Sequence, residues 1–321
     1  MNKLRALAAF LLVAMVPAFA WVPELTGSGA PAMDRWSMNS FAVNWNLNPK
    51  TGNNVQGSRT VHDVIAASFA TWQQSPNAAV NVEEGAPSDV SSESNSPANI
   101  NLICLVCTDV DFADDSTLAV TITTTADAAG KPDGHGGVSQ FAGQILKSDV
   151  IFNPHVQFTT DPGGVGEDLQ TVATHEVGHF FGLDHSAVVR SIMFPFASDL
   201  TTLSYDDVAG ISTLYPKGTP DFAAGSISGR VTFPSGTAVF GAHVFAESTT
   251  GKPSLAPTIR RSPIGTLSRP DGSYVIQGLP ADQYTVTAEP LDGPVASSDL
   301  NGFPSAYRKS SVDTNFTTRS H

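Results

Sequence analysis

His175, Glu176, His179 and His185 are the residues of this 321-residue chain best spaced to do chemistry. His175 and His179 are four apart, so on an α-helix they lie one turn above each other on one face and can grip a single ion. A catalytic zinc takes three protein ligands and a water, with imidazole nitrogen at about 2.0–2.1 Å. Gly182 stands three residues after His179. Lacking a Cβ, it can adopt φ > 0, end the helix and turn the chain back. His185 then arrives from outside the helix as the third ligand. Glu176 is expected beside the metal rather than on it, placed to take a proton from a water whose pKa zinc lowers towards roughly 7. An acidified water, a polarised carbonyl and a base within reach can hydrolyse a peptide bond without a covalent intermediate. A lone HExxH arises by chance on many helices. Here chance would also have to supply Gly182, His185 and a downstream Met193 in the turn Ser191-Ile192-Met193-Phe194-Pro195.

These residues need a frame. The glycines at 163, 164 and 166 lead into a helix predicted over about 167–181. A second helix is predicted over 60–75, with Val61, Val64, Ile65, Phe69 and Trp72 on one stripe and Thr60 and Asp63 at its start. Strands are predicted at 41–47, 100–106, 118–124 and 145–152, and a last helix is capped by Ser204 and Asp207. The stretch 83–97, bearing Ser, Pro and Glu, reads as a loop or a disordered insertion.

With Ser186 directly after the third histidine, the run from His175 to Pro195 resembles the matrixin branch of the metzincin peptidases. Residues 204–216 resemble that family's closing helix, and the likeness extends outward to about residue 36. The resemblance implies an α+β fold, a metzincin or zincin catalytic domain whose twisted mixed sheet is backed by a zinc helix and a closing helix. It implies catalytic zinc held by His175, His179 and His185, catalysis by Glu176, and Met193 as an apolar floor beneath the metal. Pro195 would belong to the wall of the primed-side substrate pocket and Thr171 to its lining. In that fold an edge strand binds a protein or peptide substrate by strand addition, and residues 138–142 are expected to be that edge. Ala197 stands where the family often carries a tyrosine, which leaves the pocket's shape open. His135 and His155 are the candidates for a second, structural zinc, but both read as surface-loop residues. Asp133, Asp149 and Asp161 could serve Ca2+, yet no regularly spaced ligand loop surrounds them, and solvated acids are the expected reading. Between Ala20 and Met33 there is room for only a short segment without cysteine, so no latency peptide acting through a cysteine is expected.

Residues 1–20 read as a signal peptide: Lys3 and Arg5, an apolar run over 6–16, and Ala18-Phe19-Ala20 as the cleavage site. The run is too short for the usual spanning helix of about 20 residues, and no later stretch offers a transmembrane anchor. The product is expected to be secreted, extracellular or periplasmic. Losing Lys3 and Arg5 takes the formal charge from −13 to −15, which argues against nucleic-acid binding, since that needs a basic face. Cys104 and Cys107 form a C-x-x-C. An exported chain favours a disulfide, whereas an uninterrupted strand over 100–106 would point the two side chains to opposite faces. A bridge therefore requires the strand to end in a turn there.

The chain divides into a peptidase domain over 21–216, a linker over 217–224 and a β-rich region over 225–321. Strands are predicted at 225–233, 242–247, 272–277 and 283–289. The runs 226–231 and 241–246, Asp271-Gly272-Ser273-Tyr274, and Leu279-Pro280-Ala281-Asp282-Gln283-Tyr284 resemble the carboxypeptidase regulatory-like domain, a small transthyretin-like β-sandwich. That resemblance implies an accessory role such as stability, substrate docking, or cell-surface or glycan docking. His243 sits in a strand and reads as packed rather than metal-bound. The chain ends soon after a β-like stretch at 314–318, which leaves open whether the sandwich is complete. Two functions follow: an exported zinc metalloendopeptidase, or a surface- or glycan-binding protein whose peptidase domain is secondary or very narrow. The intact Glu176 favours the first, because losing the base is the simplest way to abolish hydrolysis while keeping the metal.

Overall fold

A computed structural model describes residues 22–26, 31–112, 114–134, 136–196, 199–251, 255–300 and 302–321. The predicted signal peptide, His135 and Ala197 lie outside the described residues. The first half runs β1 (Val43–Leu47), β2 (Val55–Gln56), α1 (Val61–Gln73), β3 (Val82–Glu84) and β4 (Leu102–Cys104). It continues with β5 (Ala119–Thr125), β6 (Ile145–Phe152), β7 (Phe158–Thr159), β8 (Glu167–Asp168), α2 (Leu169–Phe180) and α3 (Tyr205–Leu214). The main sheet has the order β3-β1-β4-β6-β5. All its pairings are parallel except β5 with β6. The short strands β2, β7 and β8 form a separate parallel sheet. This mixture of sheet and helix is α+β.

Thr60 caps α1, accepting from the Asp63 N–H at 3.1 Å. The stripe Val61, Val64, Ile65, Phe69 and Trp72 is buried. Trp45 of β1 stacks on Phe69, and Phe69 meets the edge of Phe180 on α2. The Trp72 indole N–H donates to the Thr174 carbonyl at 2.7 Å, and that of Trp36 to the Phe180 carbonyl at 2.8 Å. Helix α2, which carries His175 and His179, is thus fixed by apolar packing on several sides and by two indole hydrogen bonds, whose buried carbonyl acceptors would be costly to leave unpaired.

The second half is β-rich: β9 (Ala224–Arg230), β10 (His243–Ser248), β11 (Ile264–Leu267), β12 (Ser273–Pro280), β13 (Tyr284–Glu289) and β14 (Arg319–Ser320), with a one-turn helix α4 (Phe303–Ala306). Four strands form an antiparallel sheet in the order β11-β10-β13-β14, and β9 pairs antiparallel with β12. Helix α3 packs against β11 and β12. One apolar cluster runs without a break from Trp36 through α1, α2 and α3 to Val244, Ile264 and Leu279, so the two halves share a core. Among the described residues no helix is long and apolar enough to cross a membrane.

Several expectations need correcting. Residues 138–142 are not a sheet edge: Val138 makes only an isolated bridge to Pro132, in a loop between β5 and β6. The sheet edge against which α2 packs is β5. The stretch 83–97 is not a plain insertion, since Glu83 and Glu84 pair with Asn44 and Trp45. A 3-10 turn at Glu93–Asn95 is held by Asp109, which accepts from the Glu93 and Ser94 N–H groups at 2.9 and 3.0 Å. Asp149 is fully buried rather than solvated. It pairs with Lys147 at 2.8 Å and accepts from the Leu102 N–H at 2.7 Å. Asp133 and Asp161 serve as local turn acceptors for Gly137 and Ser58, and His155 is exposed in its loop. The predicted strand at 100–106 stops at Cys104, the chain bends at 105–106, and Cys104 is bridged to Cys107. The last strand lies at Arg319–Ser320 rather than 314–318, and β11 and α4 were not foreseen.

Candidate metal centre

Helix α2 begins with Asp168, whose carboxylate accepts from the Thr171 N–H at 2.9 Å. It ends at Gly182. The Gly182 N–H donates to His179 O at 2.8 Å and the Leu183 N–H to Gly178 O at 3.1 Å, the paired 5→2 and 6→1 bonds of a Schellman stop. Gly182 has φ +89°, and a Cβ there would lie 1.9 Å from the Asp34 carbonyl oxygen, so both the conformation and the space demand glycine. The chain then reverses and brings His185 back over the helix.

Among the described residues one group of three His, Cys, Asp or Glu side chains is close enough to share an ion: His175, His179 and His185, with their ligand atoms within 4.8 Å of one another. Each ring has its Nδ1 beside a backbone carbonyl. His175 Nδ1 is 2.7 Å from Ile192 O, His179 Nδ1 is 2.7 Å from Leu183 O, and His185 Nδ1 meets Asp299 O. A carbonyl can only accept, so all three Nδ1 atoms carry a proton and the three Nε2 atoms are turned towards one another. Nε2 of His175 and of His179 are 3.1 Å apart. Three convergent imidazole nitrogens on rings held in place from behind suit a zinc ion once His179 gives up its second proton.

The electrostatics divide the trio. Burial, then the neighbouring His179 and His185, holds His175 well below the usual histidine range. Burial and His179 push His185 down to about 3. Burial also disfavours charge on His179, but the Glu24 hydrogen bond and the charges of Glu176, Glu24 and Asp184 outweigh it and carry its pKa up to about 9. The Glu24 carboxylate lies 3.3 Å from His179 Nδ1. It is delivered by the segment before β1, where the Glu24 N–H donates to Gly182 O at 3.0 Å and the Asp184 N–H to Val22 O at 2.9 Å. Glu176 is buried, which raises its pKa, while His179 and Thr121 pull the other way. The Thr121 hydroxyl of β5 is 2.6 Å from Glu176 Oε2, which fixes one carboxylate oxygen and leaves the other available.

Met193 sits beneath this group. A Cβ on Gly178 would fall 2.1 Å from Met193 Sδ, so the turn lies directly on the helix. Asp207 of α3 ties that turn down. It accepts from the Ile192 N–H at 3.0 Å, from Ser191 Oγ, and from the Ser204 N–H at 2.6 Å, the last closing the capping box of α3. Because Ile192 also offers its carbonyl to His175, Asp207 acts on the first histidine through a single residue. Thr171 and Pro195 line a cleft of about 390 Å³ together with Leu118, Val172, Phe194 and His175, and the Thr171 hydroxyl is buried without a partner. Sequence reasoning reached Asp207 only as a helix cap. It missed Glu24, Thr121 and Asp299 because they lie far along the chain from His179, Glu176 and His185, which they hold.

A helix presenting two histidines, a glycine stop, a returning third histidine and a methionine turn define a zinc-peptidase type of centre. Comparison with known proteins is specific: the matrixin family profile matches residues 109–216 and that of the carboxypeptidase regulatory-like domain matches residues 226–299. The chain carries a matrixin domain followed by a carboxypeptidase regulatory-like domain. It is 41% identical over 75 residues to metalloendoproteinase 4-MMP of Arabidopsis thaliana (22% of this chain and 22% of that protein). It is 39% identical over 99 residues to stromelysin-1 of Mus musculus (28% and 20%), and 40% over 79 residues to matrilysin of Rattus norvegicus (23% and 29%). The matched part of the chain thus spans less than a third of each of these relatives.

Proposed function

We propose that the chain is an exported zinc metalloendopeptidase in which His175, His179 and His185 hold the metal and Glu176 is the catalytic base. The observation that carries this reading is the convergence of three Nδ1-anchored imidazoles beside a buried carboxylate at the wall of an open cleft. Zinc, when bound, supplies a Lewis acid for the scissile carbonyl and acidifies the attacking water. Glu176 takes that water's proton on the carboxylate oxygen not held by Thr121 and returns it to the leaving amine. Burial favours its protonated form, which suits a group that must both accept and release a proton. Thr171 and Pro195 line the pocket for the side chain following the scissile bond, and β5 offers its free edge to the substrate backbone. Export rests on the pattern of residues 1–20. The boundaries at 216 and 225, and a transthyretin-like sandwich for the two antiparallel sheets, complete the reading.

The test is hydrolysis of casein by purified 21–321, with zinc content measured in parallel for wild type and Glu176→Gln. The variant is expected to keep one zinc and lose about 10²–10⁴-fold in rate. Retained activity in Glu176→Gln, or a wild type without stoichiometric zinc, overturns the assignment.

A further inference from the structure

The carbonyls that hold the three histidine rings come from three places, and one of them is remote. Ile192 and Leu183, whose carbonyls anchor His175 and His179, belong to the same stretch of chain as the histidines. The carbonyl that anchors His185 belongs to Asp299, 114 residues further on. It is presented by a single 3-10 turn, Ser297–Asp299. The Asp299 carboxylate closes that turn by accepting from the Ala296 N–H at 2.8 Å, while the Asp299 N–H donates to Ala296 O at 3.0 Å. Leu300, fully buried, wedges the turn in place within an apolar cluster that includes Val22, Leu291, Val295 and Phe303, with Ala187 and Phe194 against it.

The residues after His185 are tied to β11 through Asp206 of α3. The Asp206 carboxylate accepts from Ser186 Oγ at 2.6 Å and from the Gly265 N–H at 2.8 Å. Gly265 lies so near Val188 that a Cβ there would come within 3.0 Å of its methyl. The residues after His185 are therefore pinned between β11 and the turn at 297–299.

From this we infer that the C-terminal region is a working part of the metal centre: Asp299 is a positioning residue that fixes the ring orientation and tautomer of His185. The inference rests on the zinc reading above. Groups that hydrogen-bond the far nitrogen of a ligand histidine typically govern metal affinity by about 10–100-fold, and here the partner comes from outside the matched peptidase region.

The experiment uses the full chain and reads zinc affinity by competition with a chromophoric chelator, alongside melting temperature. Asp299→Ala, which opens the turn, is expected to raise the zinc dissociation constant by about 10–100-fold. Asp299→Asn, which keeps the capping oxygen, is expected to restore it. Leu300→Val, a milder change under the same turn, should weaken binding in the same direction by less. Asp282→Ala removes hydroxyl contacts from Thr250 and Ser248 in the turn between β12 and β13. It should lower the melting temperature without changing zinc affinity. Equal zinc affinity in wild type, Asp299→Ala and Leu300→Val overturns the inference, as does an equal loss in Asp282→Ala. A wild type that binds no stoichiometric zinc removes the zinc reading and this inference together, whereas normal wild-type binding with an insensitive Asp299→Ala removes this inference alone.

Discussion

Gly178→Ala sets two known effects against each other at one position of the zinc helix. Alanine is better than glycine in a helix interior by about 1 kcal/mol, so on propensity alone the change stabilises. The structure opposes it. The new Cβ would lie 2.1 Å from Met193 Sδ, 3.0 Å from Met193 Cε and 2.8 Å from Trp72 Cζ2. Trp72 cannot yield easily, because its ring is fully buried and its N–H is held by Thr174. Overpacking of this kind costs about 1–3 kcal/mol, and distances this short place the cost at the upper end. A net loss of about 1–2 kcal/mol follows. For a chain of this size that lowers the melting temperature by roughly 2–6 °C. Differential scanning calorimetry reads it directly, and a cycle with Met193→Ala isolates the contact. In the Met193→Ala background the penalty should shrink by more than about 0.5 kcal/mol, the threshold at which neighbouring sites couple. A melting temperature that rises, or additive single and double variants, would show that the turn does not bear on the helix as described.

Asp207→Ala strips the acceptor from the Ile192 and Ser204 N–H groups and Ser191 Oγ. Leaving such buried donors unpaired should cost about 3 kcal/mol or more, and because Ile192 anchors His175, chelator competition should show zinc binding weakened by about 10–100-fold. Asp206 has its pKa raised to about 7 by burial and by Asp207, from 3.8 in the unfolded chain. Its stabilising contribution is therefore complete below about pH 3.8 and is lost as the pH rises through 7. Asp206→Asn should accordingly gain on wild type between pH 4 and 8, by up to about 4 kcal/mol at 1.36 kcal/mol per pKa unit; parallel denaturation curves across that range would refute it. Removing zinc with a chelator should lower the melting temperature by on the order of 10 °C, since free metal at 1,000 times Kd stabilises by about 4 kcal/mol; an unchanged melt would mean that no tight metal site exists.

What could be read from the sequence was local. The positions of His175, Glu176, His179 and Gly182 carry their geometry within a few residues, because helix periodicity and a glycine stop are short-range properties. The caps Thr60 and Ser204 announce α1 and α3 in the same way. The edge strand was misplaced because the choice between residues 138–142 and β5 depends on which segment faces α2, and alternation alone does not encode that. Asp149 reads as a solvated acid until the pairing of β4 with β6 buries it and brings the Leu102 N–H to it, with Lys147 two residues away on the same strand. Strand β11, Ile264-Gly265-Thr266-Leu267, is buried along its whole length and shows no alternation to detect. Glu24, Thr121 and Asp299 reach His179, Glu176 and His185 across 155, 55 and 114 residues of chain. Contacts of that span are made by tertiary folding alone.

The core shared by the two halves has a consequence for how the molecule comes into being. Chains are made from the N-terminus and tend to fold domain by domain. Here the cluster that buries Trp45 and Phe180 is not closed until Ile264, Ile276 and Leu279 have been synthesised, and His185 gains its carbonyl partner only with Asp299, 114 residues later. The histidine trio therefore gains its last support from a segment made well after the matched peptidase region. A chain halted near residue 216 would expose the α3 face that β11 and β12 cover and would leave His185 without the carbonyl that holds its ring.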